Sequence, residues 1–90
     1  MAPTQLLAVS ANKNEAVLYW QDKSDNEQNF LIERSTSLDS GFAQIASVGA
    51  NEVSFVDRGV IKKKTYYYRV RASNFGGKST YSNVASVVVK

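Results

Sequence analysis

The chain contains no cysteine and no histidine among its 90 residues. Without thiols it can form neither a disulfide nor a thiolate metal site, so its hydrophobic core has to hold the fold alone. Imidazole and thiol are also the usual bases and nucleophiles near neutral pH. A mechanism that uses a pair of carboxylates remains formally open. Asp22, Asp25 and Glu27 fall in one polar loop, however, and a solvated loop does not raise a carboxylate pKa as a closed cleft does. We therefore expect no enzymatic activity.

Long apolar segments, linkers and repeats are absent as well. No apolar run approaches the roughly 20 residues of a membrane-spanning helix, and the start, Met1 to Thr4, has no basic segment followed by an apolar core, so we expect neither membrane insertion nor a signal peptide. The single proline and five glycines mark no low-complexity stretch. The sequence predicts one domain over residues 1–90.

What the chain does have is short runs of β-branched and aromatic residues that alternate with a period of two. The clearest run, 66–72, alternates aromatic or aliphatic residues with more polar ones. Because successive side chains of a strand point to opposite faces, this register predicts one buried row and one solvent-facing row. Seven such runs, with turn residues between them, predict an all-β fold, a seven-stranded antiparallel sandwich. The predicted core residues are Leu18, Trp20, Ile32, Tyr66, Tyr68 and Val70.

These runs resemble fibronectin type III domains over nearly the whole chain, from Pro3 to Val89. The segment 59–72 carries the most specific likeness, because it is similar to the family signature of leucine, then Pro-Gly, then Thr-x-Tyr before a strand. Other matching motifs are Pro3-x-x-Leu6-x-Ala8, Leu18-x-Trp20 and the polar-to-apolar stretch from Trp20 to Ser35. The resemblance implies an immunoglobulin-like topology with a three-stranded sheet on a four-stranded sheet.

Within the signature, Val60 stands where the family has leucine, and Lys62 and Lys63 stand where it has Pro-Gly. The resemblance therefore implies a looser loop than usual. It also places Tyr66 as the corner tyrosine, with its ring inside and its hydroxyl bonded to the backbone of the preceding loop. The stretch from Trp20 to Ser35 looks like the bacterial branch of the family, which is common as accessory modules of secreted polysaccharide-degrading enzymes and surface proteins.

The charges are divided along the chain. Residues 1–57 hold three basic and eight acidic residues, a net −5, whereas residues 58–90 hold eight basic and no acidic ones, a net +8. One interpretation is a basic surface that attracts nucleic acid or acidic polysaccharide; it would comprise Lys62, Lys63, Lys64, Arg69, Arg71 and Lys78. The other, which we favour, pairs the sixth strand with the third. Arg69 and Arg71 then face Glu33, with about 0.2–1 kcal/mol per pair, and nucleic acid is not an expected partner.

Two further features have a functional and a structural interpretation each. Outward aromatics such as Tyr67 and Tyr19, with Phe75 in a loop, can stack on sugars or anchor a protein, but outward tyrosines are also ordinary strand formers. Asp22-x-Ser24-x-Asn26 is superficially similar to a calcium loop, yet Glu27 occupies the position that needs glycine, which favours a plain polar loop. We expect no metal and no cofactor. The candidate interaction surface comprises Tyr67, Arg69, Arg71, Phe75 and Lys78.

These observations leave two functional hypotheses. In the first, the domain is a non-catalytic spacer or presenting module of a larger, secreted bacterial protein, with neighbouring domains as its partners and an extracellular or cell-surface location implied by the resemblance. In the second, it binds a glycan or a protein through its loops or its outer sheet face. Because seven is an odd number of strands, the two chain ends are expected at opposite ends of the sandwich.

Overall fold

A computed structural model describes residues 3–21, 28–74 and 76–90. All regular structure in these ranges is β-strand, and they contain no helix long and apolar enough to cross a membrane. The strands are β1 (Thr4–Asn12), β2 (Glu15–Gln21), β3 (Asn29–Ser35), β4 (Ala43–Gly49), β5 (Ser54–Asp57), β6 (Thr65–Asn74), β7 (Gly77–Lys78) and β8 (Ala85–Val88).

The strands form two antiparallel sheets. The first has the order β1-β2-β5. In the second, β3 lies between β4 and β6, and both β7 and β8 pair with the other edge of β6. This arrangement confirms the immunoglobulin-like sandwich. The second sheet has five strands and not the expected four, because the short β7 pairs with β6 ahead of the expected last strand, which is regular only over β8.

Serine hydroxyls provide hydrogen-bond partners for β6 in the stretch between β7 and β8. The N–H groups of Val70 and Ala72 donate to the Oγ atoms of Ser82 (3.0 Å) and Ser79 (2.9 Å). The amides of the same two serines donate back to the carbonyls of Val70 and Ala72. Backbone groups of β6 thus keep partners that a regular strand would have supplied.

All six predicted core residues are buried between the sheets. The rings of Trp20 and Phe30 pack edge to face, with the centroids 5.6 Å apart. The row of β6 predicted to face inward is buried along its whole length. In β3 both rows are buried, because this strand lies between β4 and β6, and its outward Leu31 and Glu33 are only 6% exposed. The core residues are Leu18, Trp20, Ile32, Tyr66, Tyr68 and Val70.

The loop before β6 has the corner geometry that the signature implies. The N–H of Ile61 donates to the hydroxyl of Tyr66 at 3.0 Å, and Val60 is buried. The loop is also anchored to the last segment: the Lys63 N–H donates to the Val89 carbonyl (2.8 Å), and the Val89 N–H donates to the Lys64 carbonyl (2.9 Å). Lys63 adopts a left-handed backbone conformation, with φ of 70°.

The two ends of the described chain lie at opposite poles of an elongated body. Asn83 is bonded to Leu6 near the start of β1, whereas the N–H of Lys90 donates to Ser10 Oγ near its end. The last segment therefore runs parallel to β1 and leaves at the far pole. The Cα extents of the body are 39 × 24 × 19 Å.

Candidate interaction surface

The outer face of the second sheet collects most of the candidate residues around one carboxylate. Glu33 in β3 lies directly opposite Arg69 in β6. Arg69 Nε contacts Glu33 Oε1 at 2.8 Å, and Arg71 Nη2 lies 3.8 Å from Oε2. The hydroxyl of Tyr81 donates to the same Oε2 at 2.9 Å. The predicted pairing of the sixth strand (β6) with the third (β3), which brings Arg69 and Arg71 to Glu33, is confirmed. Tyr81 is a third partner of Glu33.

Two aromatic rings lie close to the guanidinium of Arg69. Its Cζ lies 3.7 Å from the centroid of the Tyr81 ring and 4.3 Å from that of Phe42, and Arg71 lies 4.6 Å from the Tyr81 centroid. Cations over aromatic faces are attracted by the ring quadrupole. We call this set the arginine face; it comprises Glu33, Phe42, Tyr67, Arg69, Arg71 and Tyr81.

The electrostatics of the arginine face differ from those of an open basic patch. Glu33 has 8% of its side chain exposed, and Arg69 and Arg71 have 29% and 24%. Burial raises the pKa of Tyr81, and the hydrogen bond that it donates to Glu33 raises it further. The two arginines are therefore held by one carboxylate and stacked rings. The face thus presents ordered aromatic and guanidinium surface with little free charge to a ligand.

The remaining candidates do not all join this face. Tyr67 lies on it, half-buried between Ser35 and Ser86 on the neighbouring strands. Lys78 is exposed in β7, at the β6–β7 hairpin. Phe75 lies outside the described residues, as does the polar loop 22–27 with its calcium-like spacing.

Sequence reasoning missed Phe42 and Tyr81. Both precede or follow a strand rather than lying within one: Phe42 comes just before β4, and Tyr81 lies in the irregular segment between β7 and β8. A period-two pattern assigns faces only inside strands. The available signal was weak, namely that each is an isolated aromatic close in sequence to a strand that neighbours β3 or β6.

A second charged cluster lies inside the sandwich around Asp57. This residue is 4% exposed, and it accepts hydrogen bonds from the Tyr68 hydroxyl (2.7 Å), Arg34 Nη1 (2.8 Å) and the Gly59 N–H (2.9 Å). Burial alone would raise the pKa of Asp57, but these hydrogen bonds outweigh it and lower the pKa below its usual value. Burial and the bond to Asp57 raise the pKa of Tyr68. Both groups keep their ordinary protonation states at neutral pH, so neither is tuned for acid or base catalysis.

The lysine triplet lies away from the arginine face, at the pole where the chain ends. Contacts connect it to other cations: Lys63 and Lys64 bond to Val89, Lys90 bonds to Ser10, and Ser10 bonds to the Asn12 carbonyl. Asn12 also lines a cleft of about 360 Å³, together with Lys13 and Arg58. We call this end the basic pole; its cations are Lys13, Arg58, Lys62, Lys63, Lys64 and Lys90. The residues that the sequence grouped into one basic surface thus lie on two separate surfaces, the arginine face and the basic pole, and Lys78 belongs to neither.

No metal-binding group of three or more carboxylates forms among residues 3–21, 28–74 and 76–90. In the same ranges the ionised side chains are engaged in pairs, such as Arg34 with Asp57 and Arg58 with Glu15, or they are exposed lysines and the exposed carboxylates Asp39 and Glu52.

Comparison with known proteins gives a consistent result for the fold. No protein-family model matches the chain, and no curated protein matches it. A solved Fn3-like protein from Clostridium thermocellum is similar over 100% of this chain and 93% of its own, with 27% identity and a TM-score of 0.87.

Two solved enzymes contain a similar domain. In pectate lyase Pel3 from Pectobacterium carotovorum the match covers 93% of this chain and 26% of the enzyme, with 25% identity and a TM-score of 0.82. In a β-1,2-glucanase from Parabacteroides distasonis it covers 98% and 12%, with 22% identity and a TM-score of 0.84. In both, the matching part is one domain of a larger chain. Together with the sheet order, the corner tyrosine and the buried tryptophan, these likenesses show that the chain has the fibronectin type III fold.

Proposed function

We propose that this domain is a non-catalytic presenting module, which holds neighbouring domains of a larger secreted bacterial protein at a fixed distance. The observation that carries the proposal is the placement of the two chain ends at opposite poles of a body 39 Å long. A domain inserted in a chain through such ends holds its two neighbours apart on opposite sides of the sandwich.

The sandwich is suited to this role because its first and last strands are fastened to each other. Asn83 donates to and accepts from the backbone of Leu6, and Lys90 bonds to Ser10. A force applied at the two chain ends therefore loads these hydrogen bonds between β1 and the last segment. Domains of similar structure occur in a pectate lyase and a glucanase, and this supports a parent protein that acts on polysaccharides outside the cell.

A tandem fusion of two copies tests the spacing. If the module keeps its neighbours apart, small-angle X-ray scattering will give a maximum dimension close to twice the 39 Å axis of one copy. A pair that folds back side by side, with a maximum dimension near that of a single copy, would contradict the proposal. A single copy measured under the same conditions is the control.

A second candidate function is binding of a neutral glycan or a protein through the arginine face. It is favoured by the ordered position of Tyr81, whose ring is fixed by Arg69 and whose hydroxyl is fixed by Glu33. Rigid aromatic surface of this kind binds sugars and partner proteins at small entropic cost. Glycan binding that resists salt and disappears in the Tyr67→Ala variant would support this function. Binding that is unchanged in that variant would count against it.

A further inference from the structure

The basic pole concentrates positive charge that the fold leaves unneutralised. Of its six cations, only Arg58 is in an ion pair, with Glu15 at 2.8 Å, among the described residues. The one other acidic side chain in the described loops of this pole is Asp39, so these loops have a net side-chain charge of about four positive units at neutral pH. The five lysines are all exposed.

Hydrogen bonds place these cations at the same end of the sandwich, although they come from three separate parts of the chain. Lys63 and Lys64 share hydrogen bonds with Val89, and the next residue, Lys90, is bonded to Ser10. Ser10 in turn bonds to the carbonyl of Asn12, which lines a cleft together with Lys13 and Arg58. Like charges collected in this way repel one another, and a ligand of opposite charge relieves that repulsion.

The backbone of Lys63 provides an independent observation. It has a φ of 70°, a conformation that costs a residue with a Cβ about 1–2 kcal/mol and that glycine adopts freely. No fold requirement for lysine is visible, since its side chain is exposed and its hydrogen bond to Val89 is made by the backbone. Strain that is retained at an exposed position points to a function of the side chain.

The composition of the pole indicates the class of ligand. Five of the six cations are lysines, which act as mobile point charges, whereas arginine is the preferred residue for phosphate and nucleic acid. Single-stranded nucleic acids also need exposed rings on which bases stack. In the described loops of this pole the one aromatic side chain is Phe42, which is half-buried beneath Arg69.

We propose that the basic pole is a binding site for an acidic polysaccharide, with Lys62, Lys63 and Lys64 as its principal contacts. This inference does not depend on the presenting role, because a module can separate its neighbours whether or not its pole is occupied. The scattering experiment above measures spacing alone, so the two proposals fail separately.

Binding of residues 1–90 to polygalacturonate, measured by isothermal titration calorimetry, tests the site. We expect binding at about 50 mM salt that weakens at least about tenfold at about 200 mM, as charge-driven association does. The double variant Lys62→Gln/Lys64→Gln should bind at least about tenfold more weakly, with a salt dependence reduced by about one unit per lysine removed. Lys78→Gln is the matched control, because Lys78 is equally exposed but lies away from this pole.

Four outcomes would overturn the proposal. These are no binding at the lower salt concentration, equal binding to neutral dextran, equal losses in the double variant and in Lys78→Gln, or tighter binding to duplex DNA at the same concentration of charge. The last result would assign the pole to nucleic acid instead.

The variant Lys63→Gly separates the role of the side chain from its effect on the fold. Removing the left-handed strain should stabilise the domain, and removing the charge should weaken polygalacturonate binding about three- to tenfold. A variant that is more stable and binds as well as the original chain would show that Lys63 does not contact the polysaccharide.

Discussion

The hydroxyl of Tyr68 donates a hydrogen bond of 2.7 Å to Asp57 Oδ2, the same oxygen that Arg34 Nη1 contacts at 2.8 Å. Tyr68 belongs to β6 in the second sheet and Asp57 ends β5 in the first. The bond therefore joins the two sheets through polar groups inside an otherwise apolar core. Since a buried charge without partners is expensive, the stability of the sandwich depends on all three groups being present.

The variant Asp57→Asn should destabilise the domain by about 3 kcal/mol, because it removes the negative charge and leaves Arg34 partly buried without its partner. Tyr68→Phe is the comparison, and it should cost about 1–2 kcal/mol, since the ion pair remains and one hydrogen bond is lost. Urea unfolding of the three proteins measures both values. An effect of Asp57→Asn no larger than that of an exposed substitution would contradict this interpretation.

Stability should fall at acid pH through Asp57. Its pKa is lowered in the folded domain, so its contribution is complete above the unfolded value of about 3.9 and is lost as the pH falls towards the lower folded value. The urea midpoint should therefore drop below about pH 4. In Asp57→Asn the same drop should be shallower, and parallel curves for the two proteins would refute the assignment to this residue.

At alkaline pH, stability should fall through Tyr68, so the direction of this pH dependence is opposite to that for Asp57. Its pKa is raised by burial and by the bond to Asp57, so the neutral phenol is favoured in the folded state. The contribution is complete below the unfolded pKa of about 10 and decreases as the pH rises above it. Unfolding followed by tryptophan fluorescence should show a loss of stability above about pH 10, and Tyr68→Phe should reduce that loss. A loss of the same size in the variant would assign it to other groups.

The strands were predictable from the sequence because each stretch of alternation records which face of a sheet is buried. In β6 the alternation alone predicts the inward row from Tyr66 to Ala72, and the family signature predicts the corner bond of Tyr66. The pairing of Glu33 with Arg69 also agrees with the antiparallel order of β3 and β6. These features depend on local periodicity and on strand order, and both are present in the sequence.

The positions of Tyr81 and of the basic pole depend on contacts that no local pattern encodes. The chain leaves β6 between β7 and β8, and two serine hydroxyls take over its hydrogen bonds, so the register of the hairpin does not carry through to Tyr81. Lys13 and Lys90 join the lysine triplet only because the last segment runs beside β1. Sequence reasoning grouped charges by proximity along the chain, whereas the fold groups them by pole.

The substitution Lys63→Gly should stabilise the domain by about 0.5–1 kcal/mol. Lys63 has a φ of 70°, and the relief of left-handed strain outweighs the additional chain entropy of glycine in the unfolded state. Lys62→Gly is the matched control: its φ is not in the left-handed region, so the entropy term acts alone and the domain should lose stability. If both variants are destabilised equally in urea, the strain at Lys63 is absent in solution.

The interaction of Glu33 with Arg69 should be stronger than an exposed cross-strand pair. Exposed pairs contribute about 0.2–1 kcal/mol, but Glu33 has only 8% of its side chain exposed, and two aromatic rings lie close to Arg69. Low exposure reduces the screening of the charges and raises the penalty for removing one of them. A double-mutant cycle with Glu33→Gln and Arg69→Gln should therefore give a coupling free energy of about 1–3 kcal/mol in urea unfolding.

Part of that coupling is expected to pass through Tyr81, which donates to the second oxygen of Glu33. Repeating the cycle in a Tyr81→Phe background keeps the ring over Arg69 and removes only the hydroxyl. The coupling should then remain above about 1 kcal/mol, because the direct contact of 2.8 Å is untouched. A coupling below about 0.5 kcal/mol in the original background would mean that the arginine face behaves in solution as an ordinary exposed sheet surface.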